Sequence, residues 1–344
     1  MSELHSNTPF PPEYSFIQKV IHRIAAEARD RYERKHPECM PTVDRTNDPE
    51  TASKMLHDCL SADHPAMVAR FGGCELYTVA NYLGVKRGVR GWWDFIHARQ
   101  DQWWWMKSRM DAIVEYSGFF PEEEWAICKF SELLLADMKY VDVLASFNSR
   151  EYLFNDVIGS LPKLHLLLLE PWFSTDPWTK LLEGKKVLVV HPFAELIEKQ
   201  YHERREKLFP GTNILPEFEL QTVKAVQSLG GDCGGFDSWF DALQWMKDQI
   251  DAHDYDYCLI GCGAYGFHLA AHVKRAGKKA VHVGGVLQML FGIKGNRWED
   301  PEYGLPEIGI PKGWYQRLFN EYWVKPDDLY RSKNADKVEG ACYW

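Results

Sequence analysis

The sequence predicts an α/β protein with a doubly wound, mostly parallel sheet, helices on both faces and a helical lobe. Short apolar runs of strand length recur along the chain, helical patterns lie between several of them, and glycines follow several runs. Apolar strands that alternate with helices are typical of a parallel sheet covered on both faces. The 344 residues, 45% hydrophobic and 26% charged, can bury a large core.

Residues 1–62 are predicted to form a peripheral helical region. One helical stripe there is apolar, with charged residues opposite, and consists of Phe16, Val20, Ile21, Ile24 and Ala25. The run "PAMVARFGG" at 65–73 and the helical pattern "CELYTVANYL" at 74–83 then predict a strand, a turn and a helix.

Residues 63–295 are predicted to form the α/β core, with a helical insert over about 95–138. Further strands are expected at 141–147, 164–169, 185–191 and 255–261, and another begins at 278. Residues 296–344, rich in Pro, Gly, Trp and Tyr, are expected to wrap irregularly around the core. Five of the fourteen tryptophans fall within 91–105, which suits either ring packing in the helical lobe or a surface for sugars or partners.

The composition excludes several classes of protein. A net charge of -9 and a pI near 5.8 argue against a general binder of nucleic acid or acidic membranes, although local basic clusters stay open. No secretory signal is recognisable, and no apolar run approaches the roughly 20 residues of a spanning helix. Eight scattered cysteines without Cys-x-x-Cys pairs suit reduced thiols. We therefore expect a cytoplasmic location, with association to the inner membrane face through partners left open.

The stretch "CLIGCGAYGFHL" contains Gly-x-Gly-x-x-Gly at Gly261, Gly263 and Gly266. This spacing predicts a tight turn from a strand into a helix whose N-terminus faces an anion. A dinucleotide fingerprint would have an acidic residue about 20 positions later, at the end of the next strand. That strand ends "VHVGGV" without a carboxylate, so an NAD site is disfavoured. The pyrophosphate of a nucleotide sugar suits the same turn.

Other residues that follow predicted strands converge on the same edge of the sheet, and each has a structural alternative. His191 can cap the helix that begins at Pro192, and Glu195 can pair with Lys199 one helical turn later. Glu75 can complement a helix dipole, and Tyr265 can pack in the core.

Three stretches resemble the bacterial GT-D-type glycosyltransferases, which build surface glycans and glycoprotein sugars. They are "RFGGCE" at 70–75, "SREY" at 149–152 and "LIGCGAYGFHLAAHVKRAGKKAVHVGG" at 259–285. A closer similarity is to uncharacterised proteins of bacterial polysaccharide biosynthesis clusters, through "VLVVHPFAE", "LIGCGAYGFHLAAHVK" and "LFGIKGNRW". The family's Asp-x-Glu is Gly73-Cys74-Glu75 here, so one carboxylate is missing.

The resemblance implies a GT-D-like fold and a nucleotide-sugar-dependent glycosyltransferase, a hexosyltransferase, of surface polysaccharide or glycoconjugate biosynthesis. Its expected ligands are a UDP-linked sugar and a glycan, lipid-linked or protein-linked acceptor. Either Glu75 helps to hold Mn²⁺ or Mg²⁺, or cationic side chains replace the metal. A sugar-phosphate or nucleotide hydrolase, or a non-catalytic binding subunit of a glycan assembly complex, remains the alternative.

The candidate catalytic residues are Glu75, His191 and Glu195, because an acceptor hydroxyl needs a carboxylate or histidine base. The remaining candidates would bind the donor and its diphosphate through cations, glycine turns and polar side chains. They are Arg70, Gly72, Gly73, Asn148, Arg150, Gly261, Gly263, Tyr265, Gly266, Gly285, Lys294 and Arg297.

Overall fold

The computed structural model describes residues 10–39, 43–228, 232–327, 330 and 341–344. In these residues seven strands form one sheet, and every neighbouring pair of strands is parallel. The strands are β1 (Ala66–Ala69), β2 (Val143–Ser146), β3 (Lys163–His165), β4 (Lys186–His191), β5 (Glu219–Lys224), β6 (Tyr257–Ile260) and β7 (Lys279–His282). Together with the surrounding helices, this sheet confirms the predicted α/β doubly wound fold.

Helices cover both faces of the sheet. They are α1 (Phe16–Lys35), α2 (Pro49–Ser61), α3 (Gly73–Arg87), α4 (Trp92–Ile96), α5 (Lys107–Ser117), α6 (Glu124–Asp137), α7 (Asn155–Ile158), α8 (Ala194–Leu208), α9 (Trp239–Asp251), α10 (Tyr265–Arg275), α11 (Leu287–Leu290) and α12 (Asn296–Glu299). Short 3₁₀ helices connect several of these elements. No helix in the described ranges is long and apolar enough to cross a membrane.

The strand order is β3-β2-β1-β7-β6-β4-β5. The chain winds outward from β1 to β3, crosses to β4 and β5, and returns to the centre through β6 and β7. Because all strands are parallel, their carboxyl ends lie along one edge. Ligands of open α/β sheets bind beyond this edge, where the connections diverge to opposite faces. The fold therefore directs attention to the turns after β1, β4, β6 and β7.

Alternate residues of the strands enter two separate apolar clusters, one on each face of the sheet. In β4, Val187 and Val189 belong to one cluster, whereas Leu188 and Val190 belong to the other. The first cluster includes side chains from α2, α8 and the segment after residue 296; the second includes side chains from α3, α5, α6, α9 and α10. Burial on both faces explains why the central strands are apolar runs without polar alternation.

Three local features differ from the sequence expectations. The predicted strand at 164–169 is the short β3 followed by a 3₁₀ helix at Leu166–Leu169. The edge strand β5 was not predicted, because its sequence ELQTVK is largely polar and exposed. In α1, Phe16, Val20, Ile21 and Ile24 are exposed, so most of the predicted apolar stripe does not face the core, whereas Ala25 is buried.

Candidate functional site

A cleft of about 170 Å³ lies at the carboxyl edge of the sheet. Its walls come from the residues that follow β1, β3, β4, β5, β6 and β7, and from the C-terminal segment. The lining includes Arg70, Leu166, Glu170, His191, Gln227, Gly261, Gly263, His282, Gly285, Gln288, Arg297, Trp298, Tyr303, Tyr343 and Trp344. The structure thus brings six of the predicted site residues to one cleft: Arg70, His191, Gly261, Gly263, Gly285 and Arg297.

The glycine turn after β6 is required first of all by close packing. A Cβ on Gly261 would lie 2.6 Å from the carbonyl oxygen of Gly284 and 2.8 Å from Cδ2 of His191. A Cβ on Gly266 would meet the ring of His282. Gly263 has a φ of +55°, a left-handed conformation that glycine adopts without strain. The motif therefore lets the ends of β4, β6 and β7 approach one another.

The turn after β7 contacts two other parts of the cleft. Gly284 has a φ of +82°, and a Cβ there would lie 3.7 Å from Nε of Arg70. A Cβ on Gly285 would overlap the ring of Tyr343. These two glycines allow an arginine from the end of β1 and an aromatic ring from the C-terminal segment to lie against the same turn.

His191, the last residue of β4, is buried and neutral. The backbone N–H of Phe193 donates a 3.0 Å hydrogen bond to Nδ1 of His191. An N–H group can only donate, so Nδ1 is unprotonated and the neutral ring carries its proton on Nε2. Burial lowers the pKa of His191 to about 3. The predicted cap is wrong, because α8 begins at Ala194 with Phe193 at its cap position and without a side-chain cap. His191 instead accepts from the turn that precedes α8, and its ring lines the cleft.

Glu170 is a cleft residue that the sequence reasoning missed. It follows the 3₁₀ helix after β3 and lines the cleft, and its Oε2 accepts a 2.7 Å hydrogen bond from the Tyr315 hydroxyl. Burial raises its pKa to about 8. The available signal was a carboxylate at the end of the apolar run "LHLLLLE", directly before a proline.

Two arginines reach the cleft from opposite ends of the chain. Arg70 lies with its guanidinium over the Phe147 ring at 5.3 Å, and its buried Nε has no hydrogen-bond partner in the described structure. Arg297 lies over the ring of Tyr343 at 5.1 Å. Within the described ranges no carboxylate forms an ion pair with Arg70. A guanidinium that lines a cleft without a carboxylate partner is suited to an anionic ligand.

Several predicted residues lie elsewhere. Glu75, in the first turn of α3, is buried with its carboxylate against Gly72, and neither residue lines the cleft. Gly73 begins α3, and a Cβ there would meet nothing within 4 Å. The catalytic or metal-binding role of Glu75, and the donor-binding roles of Gly72 and Gly73, stay predictions.

The residues after β2 are organised around their own backbone and α1. The side chain of Asn148 accepts a 2.9 Å hydrogen bond from the backbone N–H of Arg150, and Glu151 completes the capping box. Arg150 forms a 3.1 Å ion pair with Glu33 of α1. Neither Asn148 nor Arg150 lines the cleft. Their predicted contact with the donor stays a prediction.

Two further candidates have other partners. Glu195 is exposed and forms a 2.8 Å ion pair with Lys224 of β5, and not the pair with Lys199 that helical spacing suggested. Lys294 forms a 3.2 Å ion pair with Glu299. Neither residue lines the cleft.

Tyr265 is buried at the start of α10. Its hydroxyl lies 2.7 Å from Oγ of Ser228, and its ring stacks on Trp239 with the centroids 4.9 Å apart. Gly266, the next residue, contacts His282 as described above. Both residues pack the start of α10 against its neighbours and do not line the cleft.

The predicted Mn²⁺ or Mg²⁺ site at Glu75 stays a prediction. Mn²⁺ and Mg²⁺ require several oxygen ligands. In the described ranges no three His, Cys, Asp or Glu side chains lie together as metal ligands, and Cys74 separates Glu75 from a glycine where the family has an aspartate. Glu170 is a carboxyl group that lines the cleft.

Comparison of the chain with protein-family models, with curated proteins and with solved structures finds no match.

Proposed function

We propose that this chain is a nucleotide-sugar-dependent glycosyltransferase whose donor binds in the cleft at the carboxyl edge of the sheet. The observation that carries the proposal is the position of Arg70 and Arg297 in a cleft that several aromatic rings also line. A nucleotide sugar combines a diphosphate with a sugar and a base. Guanidinium groups bind phosphate oxygens, and aromatic faces pack against sugars and bases.

The diphosphate would lie between the two arginines and the glycine turns after β6 and β7. Negative charge develops on the leaving diphosphate as the glycosidic bond breaks. Cations and backbone N–H groups that already point at this position stabilise the transition state most. Arg70, which lines the cleft, is one such cation, and Nε2–H of His191 is a second polar group beside the same turn.

The acceptor hydroxyl must lose a proton to become a nucleophile. Glu170 lines the cleft, and a pKa of about 8 lets this carboxyl group exchange a proton near neutral pH. We assign it the role of base in place of Glu195, which is exposed and paired with Lys224. Tyr315, which donates a hydrogen bond to Glu170, holds the carboxyl group in position.

The size of the cleft limits what it encloses. Its volume of about 170 Å³ is below the roughly 300–1,000 Å³ of pockets that surround a whole small-molecule ligand. It suits the sugar and phosphate on either side of the bond that breaks, with the nucleoside extending outward. A UDP-linked hexose as donor, and a glycan, lipid-linked or protein-linked acceptor, complete the proposal.

The test is a panel of nucleotide sugars offered to the purified protein, followed by thermal unfolding and by product analysis with glycan acceptors. A true donor at 100 times its Kd adds about 2.7 kcal/mol to the free energy of unfolding. Arg70→Ala should abolish this stabilisation, whereas Arg317→Ala, a change at an exposed arginine outside the cleft, should keep it.

Two outcomes would replace the proposal. Release of the nucleotide without a glycosylated product would indicate a hydrolase. No response to any nucleotide sugar, together with proteins that co-purify, would indicate a non-catalytic subunit of an assembly complex.

A further inference from the structure

The first helix differs from the usual surface helix in that most of its large apolar side chains are exposed. A surface helix normally buries its apolar stripe and exposes its charges. In α1 the inward side carries Arg29, which is buried and donates to the carbonyl of Gln100, and His22, which stacks on Trp104 at 4.2 Å. The first half of α1 exposes the apolar side chains of Phe16, Ile17, Val20, Ile21 and Ile24, with Phe16 81% and Ile17 70% exposed.

The segment 86–93, which runs from the last turn of α3 into the first turn of α4, extends this apolar area. Val89, Trp92 and Trp93 are exposed there, Trp93 by 68%. The two segments are adjacent, because Ile21 of α1 lines the same groove as Arg90 and Trp92. We refer to residues 16–24 and 86–93 together as the α1–Trp93 surface.

The charge of this surface is opposite to that of the whole chain. The two segments contain no Asp or Glu, in a protein whose net charge is -9. Their cations are Lys19, Arg23, Lys86, Arg87 and Arg90. Arg23 pairs with Glu27 and Lys86 with Glu132, and in the part of the chain that the structure describes no ion pair joins the other three to a carboxylate.

We propose that the α1–Trp93 surface binds an anionic lipid bilayer, with α1 lying flat in the interface. Interfacial helices place aliphatic and aromatic side chains at the acyl boundary and basic side chains at the headgroups, and tryptophan favours this depth. The three unpaired cations complement anionic headgroups. A symmetric contact with a second copy would bring the same cations face to face, which disfavours a dimer through this surface.

The orientation of the bound protein follows from the other end of α1. Glu33, near the end of the helix, pairs with Arg150, which follows β2 at the same sheet edge as the cleft. Bilayer binding would therefore bring this edge of the sheet towards the lipid, where a lipid-linked acceptor would be presented. This last consequence rests on the proposed function, whereas the lipid binding itself does not.

The experiment is co-sedimentation of the full chain with vesicles of phosphatidylcholine alone and of equal parts phosphatidylcholine and phosphatidylglycerol. We expect sedimentation with the anionic vesicles, weakening as NaCl is raised, and little with phosphatidylcholine. The double variant Ile17→Glu/Ile24→Glu should weaken partitioning by about ten-fold or more, and Arg87→Glu/Arg90→Glu should remove the preference for anionic lipid.

The control is Trp245→Glu, a charge introduced at an exposed tryptophan of α9 outside the surface, which should bind vesicles like the wild type. Circular dichroism and thermal unfolding show that each variant is folded. Failure of the wild type to sediment with anionic vesicles would overturn the proposal, and so would unchanged binding by folded Ile17→Glu/Ile24→Glu. A wild-type dimer in size-exclusion chromatography that this variant dissociates, without vesicle binding, would identify a second copy as the occupant. Loss of transferase activity leaves vesicle binding unaffected, so the two proposals fail separately.

Discussion

The backbone N–H of Phe193 donates a 3.0 Å hydrogen bond to Nδ1 of His191 and thereby fixes which ring nitrogen carries the proton. Burial lowers the pKa of this ring to about 3, so it is neutral at any pH at which the protein would be assayed. His191 can therefore donate a hydrogen bond from Nε2 but has no free acceptor nitrogen for a proton. In the proposed cleft it is a donor to the ligand and not the catalytic base.

We expect His191→Asn to be more stable than His191→Ala, and both variants to lose activity to the same extent. The Asn side chain can place an oxygen near Nδ1 and accept from Phe193, so it should preserve more of the thermal stability than Ala. Both variants lose Nε2–H and should slow transfer by about 10²-fold, the usual effect of removing one transition-state donor. Unfolding temperatures measure the difference in stability, and kcat/KM measures the loss of activity. A wild-type rate in His191→Asn would exclude His191 as a hydrogen-bond donor to the ligand.

Two buried histidines should make the protein sensitive to acid. Burial lowers the pKa of both His191 and His282 from 6.5 to about 3. Below pH 6.5 these two histidines are protonated in the unfolded chain but stay neutral in the folded chain. The free energy of unfolding therefore falls as pH decreases towards 3. Each histidine contributes a slope of about 1.4 kcal/mol per pH unit. Urea unfolding between pH 7 and pH 5 measures how the free energy of unfolding changes with pH. In His191→Asn this change should be smaller by the contribution of one histidine. An unchanged pH dependence would contradict the lowered pKa of His191.

Glu170 should affect stability in the opposite direction. Its pKa is raised from 4.5 to about 8, so between these values the folded chain keeps a proton that the unfolded chain releases. Stability due to this group therefore falls as pH rises from about 4.5 to 8. We expect Glu170→Gln to be more stable than the wild type at pH 8, with a difference that shrinks towards pH 5. Chemical unfolding at both pH values measures this difference.

The same substitution should change the pH dependence of turnover. A base with a pKa of about 8 gives a rate that rises with pH through that value, and Glu170→Gln should lose both this limb and most of the activity. The exposed Glu183 supplies the matched control, since Glu183→Gln should keep the wild-type profile. A Glu170→Gln enzyme with the wild-type profile would remove Glu170 from the chemistry.

Gly261 and Gly73 should respond differently to alanine. A Cβ on Gly261 would press on the Gly284 carbonyl oxygen at 2.6 Å and on His191, so Gly261→Ala should cost about 1–3 kcal/mol. Gly73 begins α3 with open space around its Cα, and Gly73→Ala should be neutral or stabilise by up to about 1 kcal/mol. Chemical unfolding compares the two. Equal stabilities would mean that the end of β6 does not pack as described.

Tyr265→Phe should separate packing from ligand binding. The change keeps the ring on Trp239 and removes the hydroxyl that contacts Ser228, at a cost of about 1 kcal/mol. Because Tyr265 does not line the cleft, turnover should stay at the wild-type level. A large loss of turnover in a folded Tyr265→Phe protein would support the donor contact predicted from the sequence.

The sheet could be predicted from the sequence because its central strands are local apolar runs. β1, β4, β6 and β7 are buried on both faces, and such burial leaves a pattern that does not depend on the rest of the chain. β5 was not predicted because an edge strand with an exposed face contains both polar and apolar residues and lacks a continuous apolar run. The arrangement of six predicted residues around one cleft followed from a general rule, that parallel strands end at the same edge.

The rest of the site depends on contacts that no local pattern encodes. Glu170 becomes a cleft residue with a raised pKa only because distant parts of the chain bury it, including Tyr315. Arg150 follows a strand as predicted, but it forms an ion pair with Glu33 of α1. The stripe in α1 shows the same limit, because helical periodicity identifies an apolar face but not whether that face points inward.

β7 is the last strand of the sheet among the described residues, and it hydrogen-bonds to both β1 and β6. Residues 279–282 therefore join β1–β3 to β4–β6, and without them β1 and β6 would each have an open edge. Unpaired strand edges are templates for association with other chains. We therefore expect a chain truncated before β7 to aggregate instead of yielding a smaller folded unit.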